Sequence, residues 1–266
     1  MPDVTCYAQI NKGKSLRLCQ AFAAGVQSAG QSVHVHAGWV DHLLPGAAVF
    51  YGVRPDQRHL LDEAKQARRD WYYIDNAYFD VTRERYFRIT RNRLQHTGLG
   101  VSDGKRFAAI GQQILPWRKA GQHVLVCPQS DEFMNTFCDD GFKWTARIVA
   151  RLGAVTDRPI RVRPWQSNKV EWYRSLPDDL RDCWALVTYS SASAITAMCA
   201  GIPAFVTAQD CISRPVANTD LSKLDDPTYA ADLLPWAGVV ADHQFSTDEI
   251  ASGYAWRALN AADGGL

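Results

Sequence analysis

Short apolar runs alternate with helix-periodic segments along the whole chain, and this alternation restricts it to stacked βα units around mainly parallel sheets. In the first half, Val4–Ile10, Ser32–His36, Ala47–Gly52 and Trp71–Ile74 read as strands. Ser15–Ala29 and Asp56–Arg69 read as helices, the first carrying Leu16, Leu18, Phe22 and Val26 at helical spacing. The second half repeats the plan, with strands expected at His123–Cys127, Ile160–Val162, Trp184–Tyr189 and Ile202–Thr207. Helices are expected there at Asp139–Leu152, Val170–Ser175 and Ser193–Ala200, and a tail helix around Thr247–Asn260. Breakers and charge in Leu115–Gly121 precede a new strand, so the expected domains are 1–118, 119–245 and a C-terminal helix, 246–266, returning to the first. The fold class expected is α/β, two Rossmann-like domains with a cleft between them.

A length of 266 residues with 47% hydrophobic and 21% charged content suffices for two such cores. A formal charge of +1 gives no overall field toward nucleic acid or an anionic membrane, so either partner would need a local patch. The first residues lack the basic start and apolar stretch of a signal peptide, and no apolar run is long enough to span a bilayer, so the expectation is a cytoplasmic protein with no membrane partner. Seven cysteines show no CxxC pair and no Cys/His cluster of ligand spacing, which predicts buried thiols and no metal.

The sharpest local feature is the segment from Ala185 to Val206, where a buried strand ends in Ser190, Ser191 and Ser193 and a small-residue helix follows. Open α/β sheets bind ligands at the carboxyl ends of their strands, and N–H groups at a helix start attract phosphate. The same residues also suit plain helix capping and tight helix-to-sheet packing, and the two roles are compatible. Arg161 and Arg163 alternate along a predicted strand, so both guanidiniums are expected on one face, where they would match diphosphate oxygens or form an ordinary solvated edge.

In the first half, Asp75 ends an apolar strand and is followed by Asn76 and Tyr78. From there a carboxylate could serve as general base, or the Asp-Asn pair could simply form a turn. Arg83, Arg85, Arg88, Arg91 and Arg93 interleave with Tyr86 and Phe87, a pattern that suits a phosphate backbone and an unstacked base, though such runs are usually a solvated surface. Ala8–Ser15 fits a permissive phosphate-loop pattern with Ala8 at the first glycine position, which would make Lys14 essential to a nucleotide or DNA kinase. Otherwise Asn11, Lys12 and Lys14 sit on the first loop of the acceptor side.

The stretch from Ala185 to Val206 resembles the donor-domain motif of GT-B glycosyltransferases, in which a strand, a Ser/Thr-rich turn, a helix and a Gly-x-Pro step hold a nucleotide diphosphate. Thr156–Pro164 is similar to the strand leading into that donor site, and Asp248–Trp256 looks like the ending of small bacteriophage-encoded glycosyltransferases. Many family members carry glutamate where this chain has Thr196, and histidine near Arg163. The resemblance implies a nucleotide-sugar donor, UDP- or GDP-linked, held by Arg161, Arg163, Ser190, Ser191, Ser193 and Thr196, with no essential cofactor. It implies an acceptor hydroxyl, a hydroxymethylpyrimidine in phage DNA being one candidate, met by Asn11, Lys12, Lys14, Arg88 and Arg91, with Asp75 as the base. A glycan acceptor, a kinase and a non-catalytic nucleotide-sugar binder stay open as alternatives.

Overall fold

A computed structural model describes residues 1–9, 12–52, 55–79, 85–165 and 175–261. They divide into two compact units, one of residues 1–96, 100–110 and 238–266, the other of residues 97–99 and 111–237.

In unit 1, β1 (Val4–Ala8), α1 (Gly13–Ser28), β2 (Val33–Ala37), β3 (Ala47–Tyr51), α2 (Pro55–Gln66) and β4 (Trp71–Asn76) follow the expected alternation. β1 pairs in parallel with β2 on one side and β3 on the other, and β3 pairs in parallel with β4. β5 (Tyr86–Arg91) then runs antiparallel to β4 and is followed by α3 (Lys105–Ile110). The connection from β4 to β5, residues 77–85, is too short for the crossover that a parallel return requires, so the chain comes back antiparallel. The sheet of this half is therefore mixed, and Tyr86–Arg91, the part of the arginine-rich segment that carries Arg88 and Arg91, is one of its strands.

Unit 2 contains β6 (His123–Cys127), α4 (Asp131–Phe137), α5 (Lys143–Gly153), β7 (Ile160–Val162), α6 (Leu176–Asp179), β8 (Cys183–Thr188), α7 (Ser193–Cys199) and β9 (Ala204–Val206). Its sheet, in the order β7-β6-β8-β9, is entirely parallel. β6 and β8 are buried at every position, as expected of interior parallel strands with both faces covered. Trp144, with no exposed surface, packs with Ile148, Leu152, Val126 and Val187 in the core of this unit and donates its indole N–H to Thr207 Oγ1 at 2.9 Å. The expected helix at Asp139–Leu152 begins at Lys143, and most of the expected helix at Val170–Ser175 lies outside the described residues.

After α8 (Leu234–Asp242), β10 (Gln244–Ser246) adds to unit 1 antiparallel to β5, completing the order β10-β5-β4-β3-β1-β2. The expected tail helix is two short ones, α9 (Thr247–Ala251) and α10 (Tyr254–Asn260). α9 starts at a capping box in which Ser246 and Glu249 satisfy each other's backbone N–H groups. Its backbone packs so closely on α1 that a Cβ at Gly25 would stand 2.2 Å from the Ile250 carbonyl oxygen. Trp256 on α10 meets Phe22 and Tyr72 in the core of this unit.

Candidate functional site

In unit 2 the strand order reverses between β6 and β8, so their carboxyl ends form the crevice at which open α/β sheets receive ligands. Thr188, the last residue of β8, donates its hydroxyl to the Cys127 carbonyl of β6 at 2.6 Å and closes the two strand ends together. Two residues further on, Gln129 and Ser190 meet. The Gln129 amide donates to Ser190 Oγ at 2.7 Å, and its carbonyl oxygen accepts from the Ser190 N–H at 3.4 Å. Ser130 caps α4 by accepting from the Phe133 N–H at 3.1 Å. Ser191 N–H donates to Thr188 Oγ1 at 3.4 Å, and Ser193 N–H to Ser191 Oγ at 3.2 Å.

Ser190, Ser191 and Ser193 are therefore brought together, but the N–H groups of this elbow are already bonded, to side chains rather than to backbone. Several of those bonds are long, near the limit of useful geometry, so an incoming anion has weak bonds to displace. The Ser193 hydroxyl lies against the Cys127 thiol, which burial pushes up to about 12, so that cysteine is an inert neighbour and not a nucleophile. Thr196 points away: it is exposed and its hydroxyl turns back to the Ala192 carbonyl at 3.4 Å. At the end of α7, Gly201 adopts φ +76, where a Cβ would meet the Pro116 carbonyl oxygen at 2.1 Å, which explains the glycine of the Gly-x-Pro step.

The two arginines expected on one face part company. Arg163, just past β7, is paired with Asp179 of α6 and its charge acts on Cys127 at the carboxyl end of β6. Arg161 is exposed, and its charge acts on His123 at the opposite end of the same strand. Only Arg163 lies toward the elbow, with its charge balanced by a carboxylate.

The sheet of unit 1 reverses order between β1 and β3. There Lys14, in the first turn of α1, donates to Asn76 Oδ1 at 3.0 Å, and its ammonium lies 5.1 Å from the Phe87 ring centroid and 5.8 Å from that of Tyr51. Ser15 is fully buried and accepts from the Gln9 N–H at 2.9 Å. A phosphate loop needs that hydroxyl presented to a metal ion and that lysine over its own loop, so the kinase reading is not favoured. Lys12 is exposed at the start of α1, and Asn11 lies outside the described residues.

Asp75 is the hub of a buried cluster. Its Oδ2 accepts from Arg88 at 2.5 Å and from the Tyr73 hydroxyl at 3.3 Å, and its Oδ1 from the Asn76 N–H at 2.7 Å. Burial opposes the charged form of Arg88, but the Asp75 carboxylate outweighs it and pushes that pKa up. Arg88 is 7% exposed and lies near the rings of Tyr73 and Tyr78, which makes it a core residue rather than a contact for an approaching phosphate. Arg91 pairs with Asp70, which precedes β4, at 2.6 Å and so faces the other end of the strand from Asp75. The expected basic stripe is thus split, because β5 is an interior strand whose side chains alternate between faces.

The pairing of Gln129 with Ser190 was missed from the sequence; its one signal is a polar Gln-Ser step just beyond a fully apolar strand end. Unit 1 also carries a cavity of about 500 Å³ lined by Tyr86, Lys105, Arg106, Asp242, Glu249 and Tyr254. Arg106 and Glu249 there form a two-pronged ion pair at 2.9 and 2.5 Å. Among the described residues no group of three or more His, Cys, Asp or Glu is placed to hold a metal, and no helix is long and apolar enough to cross a membrane.

Two solved transferases share this fold. They are structures of KpsC from Thermosulfurimonas dismutans, described as a beta Kdo 2,4 transferase and a beta Kdo 2,7 transferase. The first is 11% identical, with a TM-score of 0.51 over 92% of this chain and 92% of its own. The second is 10% identical, with a TM-score of 0.50 over 95% of this chain and 98% of its own. The chain matches no protein-family model and none of the curated proteins.

Proposed function

We propose that the chain is a glycosyltransferase that takes a sugar from a nucleotide donor held at the β6–β8 elbow of unit 2 and passes it to an acceptor hydroxyl. The observation that carries this reading is the fold shared with two Kdo transferases over nearly the full length of both chains. The elbow supports it locally: hydroxyls and an amide are gathered at a strand-order reversal, the position where such sheets take nucleotides. Ser190, Ser191 and Ser193 would bond the phosphate oxygens, with Arg163 supplying charge from the side. The transfer needs no essential cofactor in this scheme.

On the acceptor side we assign a glycan hydroxyl rather than a hydroxymethylpyrimidine in DNA. The burial of Arg88 and the opposed direction of Arg91 take these two arginines out of any surface that would follow a DNA backbone. Asp75 retains the role of candidate base through the second acceptor direction of Oδ1, since a carboxylate has about four such directions, Arg88 and Tyr73 use those of Oδ2, and the Asn76 N–H uses one of Oδ1. Lys12 and Lys14, and Asn11 beyond the described residues, are assigned to the acceptor.

The test is incubation with UDP- and GDP-linked sugars and an activated form of Kdo, with released nucleotide followed over time and oligosaccharides and hydroxymethylated DNA assayed by mass spectrometry. Nucleotide release with a mass gain on an oligosaccharide is expected. ATP consumption with no turnover of any sugar donor would overturn the reading.

A further inference from the structure

We propose that the cavity of unit 1 is a sugar subsite, holding a neutral residue of the acceptor glycan near the one that reacts. The inference rests on the glycosyltransferase reading above and adds to it a site away from the hydroxyl-rich motif. The cavity measures about 500 Å³, within the range of about 300–1,000 Å³ usual for small-molecule sites. Its walls are Tyr86 at the start of β5, Lys105 and Arg106 on α3, Asp242 at the end of α8, Glu249 on α9 and Tyr254 on α10. Tyr86 precedes Arg88 by two residues on β5, roughly 7 Å along the strand, and Arg88 holds the candidate base Asp75. A saccharide with its reacting hydroxyl at Asp75 therefore comes to the cavity with a neighbouring residue.

The polar groups of the cavity are fixed in place and only partly used. Arg106 gives two N–H groups to Glu249, at 2.9 and 2.5 Å, and Glu249 also takes the Ser246 N–H at 2.7 Å. A guanidinium carries five N–H groups, so the fork leaves others for a ligand without breaking the pair. Arg106 Nε lies 3.9 Å from Asp242 Oδ1, too far for a hydrogen bond, and the Asp242 carboxylate takes none from the described residues although its side chain is only 23% exposed. Neighbouring hydroxyls on a sugar ring suit this arrangement, because one can donate to Asp242 while the next accepts from Arg106. An anionic ligand does not suit it: Lys105 is paired with Asp103 at 2.6 Å and Arg106 with Glu249, which leaves Asp242 as excess negative charge. An ammonium would satisfy Asp242 but offers no acceptor to Arg106. The hydroxyls of Tyr86 and Tyr254 make no hydrogen bond among the described residues, and their rings supply apolar faces for the C–H side of a sugar.

The experiment is calorimetric titration and hydrogen exchange of the full chain with neutral oligomers of glucose, galactose and mannose, with oligogalacturonate and oligoglucosamine as the charged probes. At least one neutral oligomer should bind and protect residues 101–109 and 242–254, and neither charged oligomer should bind more tightly. Asp242→Ala should weaken that oligomer about tenfold, the usual loss for hydrogen bonds to a charged group, and Tyr254→Phe about threefold. Asp242→Asn keeps the shape of the side chain and should also weaken binding, so a folding defect in the alanine variant leaves the test intact. No protection of the cavity by any neutral oligomer, tighter binding of a charged one, or unchanged affinity in both Asp242 variants overturns the proposal. Nucleotide release from a sugar donor by the wild-type chain, measured without acceptor, reports separately on the reading beneath it. Donor turnover without saccharide binding overturns this subsite alone, whereas failure to turn over any donor strikes the transferase reading, and the acceptor role of the cavity with it.

Discussion

The two units present the same kind of place, the carboxyl ends of parallel strands at a reversal of strand order, and furnish it in opposite ways. In unit 1 that place is filled with charge already committed internally: Asp75 to Arg88, and Lys14 to Asn76 between two rings. In unit 2 the elbow itself is made of neutral groups, an amide and several hydroxyls, joined partly by bonds of 3.2–3.4 Å, with the Arg163–Asp179 pair to one side. Breaking a buried ion pair leaves an uncompensated charge, whereas displacing a long neutral hydrogen bond costs little. Proximity to a strand end therefore does not distinguish a ligand site from a structural anchor; how replaceable the existing bonds are does.

The sharpest way to break this contrast is to remove one partner of the buried pair. Arg88→Met should destabilise unit 1 by about 3–5 kcal/mol in urea unfolding, because Asp75 stays behind without its cation. A loss below about 1 kcal/mol would make the cluster as dispensable as a surface pair. Next in size is Gly25→Ala, whose Cβ would meet the Ile250 carbonyl. It should cost about 1–3 kcal/mol by overpacking the contact between α1 and α9, visible as loss of hydrogen-exchange protection in α9 and α10.

Ser190→Ala should cost less, about 1 kcal/mol, the net worth of the neutral hydrogen bond it loses from the Gln129 amide, while weakening nucleotide binding.

Acid separates the units with a smaller effect. Burial, followed by the charge of Arg161, holds His123 in unit 2 below its ordinary 6.5. The folded state therefore binds fewer protons there than the unfolded state, and that contribution is present above pH 6.5 and declines as pH falls below it. In unit 1, burial raises Glu249, but its bonds to Arg106 and the Ser246 N–H outweigh this and hold it below 4.5, so its contribution is kept above pH 4.5 and lost further into acid. An acid titration followed by hydrogen exchange should thus show unit 2 weakening first, and His123→Gln should abolish that early step. Simultaneous loss in both units would contradict the assignment.

Much of this was legible in the chain. The interior strands β1, β3, β6 and β8 are apolar over most of their buried lengths, interrupted by Thr5, His123 and Thr188, and α1 shows its periodicity plainly. β5 was hidden because Arg88 is a charge in the core, neutralised by a residue thirteen positions away, and no local pattern encodes that pairing. β10 was hidden by its length of three residues and by Gln244, which is fully buried because its carbonyl oxygen takes the Tyr78 and Phe79 N–H groups at 3.0 and 2.9 Å. At the site, the serines after Tyr189 stood out as a cluster along the chain. Gln129 did not, since its partner is 61 residues away.

The central claim, that the elbow of unit 2 rather than the loop of unit 1 holds the nucleotide, is tested most directly by hydrogen exchange with and without saturating UDP or GDP. The account predicts new protection in residues 129–134 and 188–196, with none in residues 12–16 and 74–76. Protection confined to the unit 1 segments, with the elbow unchanged, would contradict it.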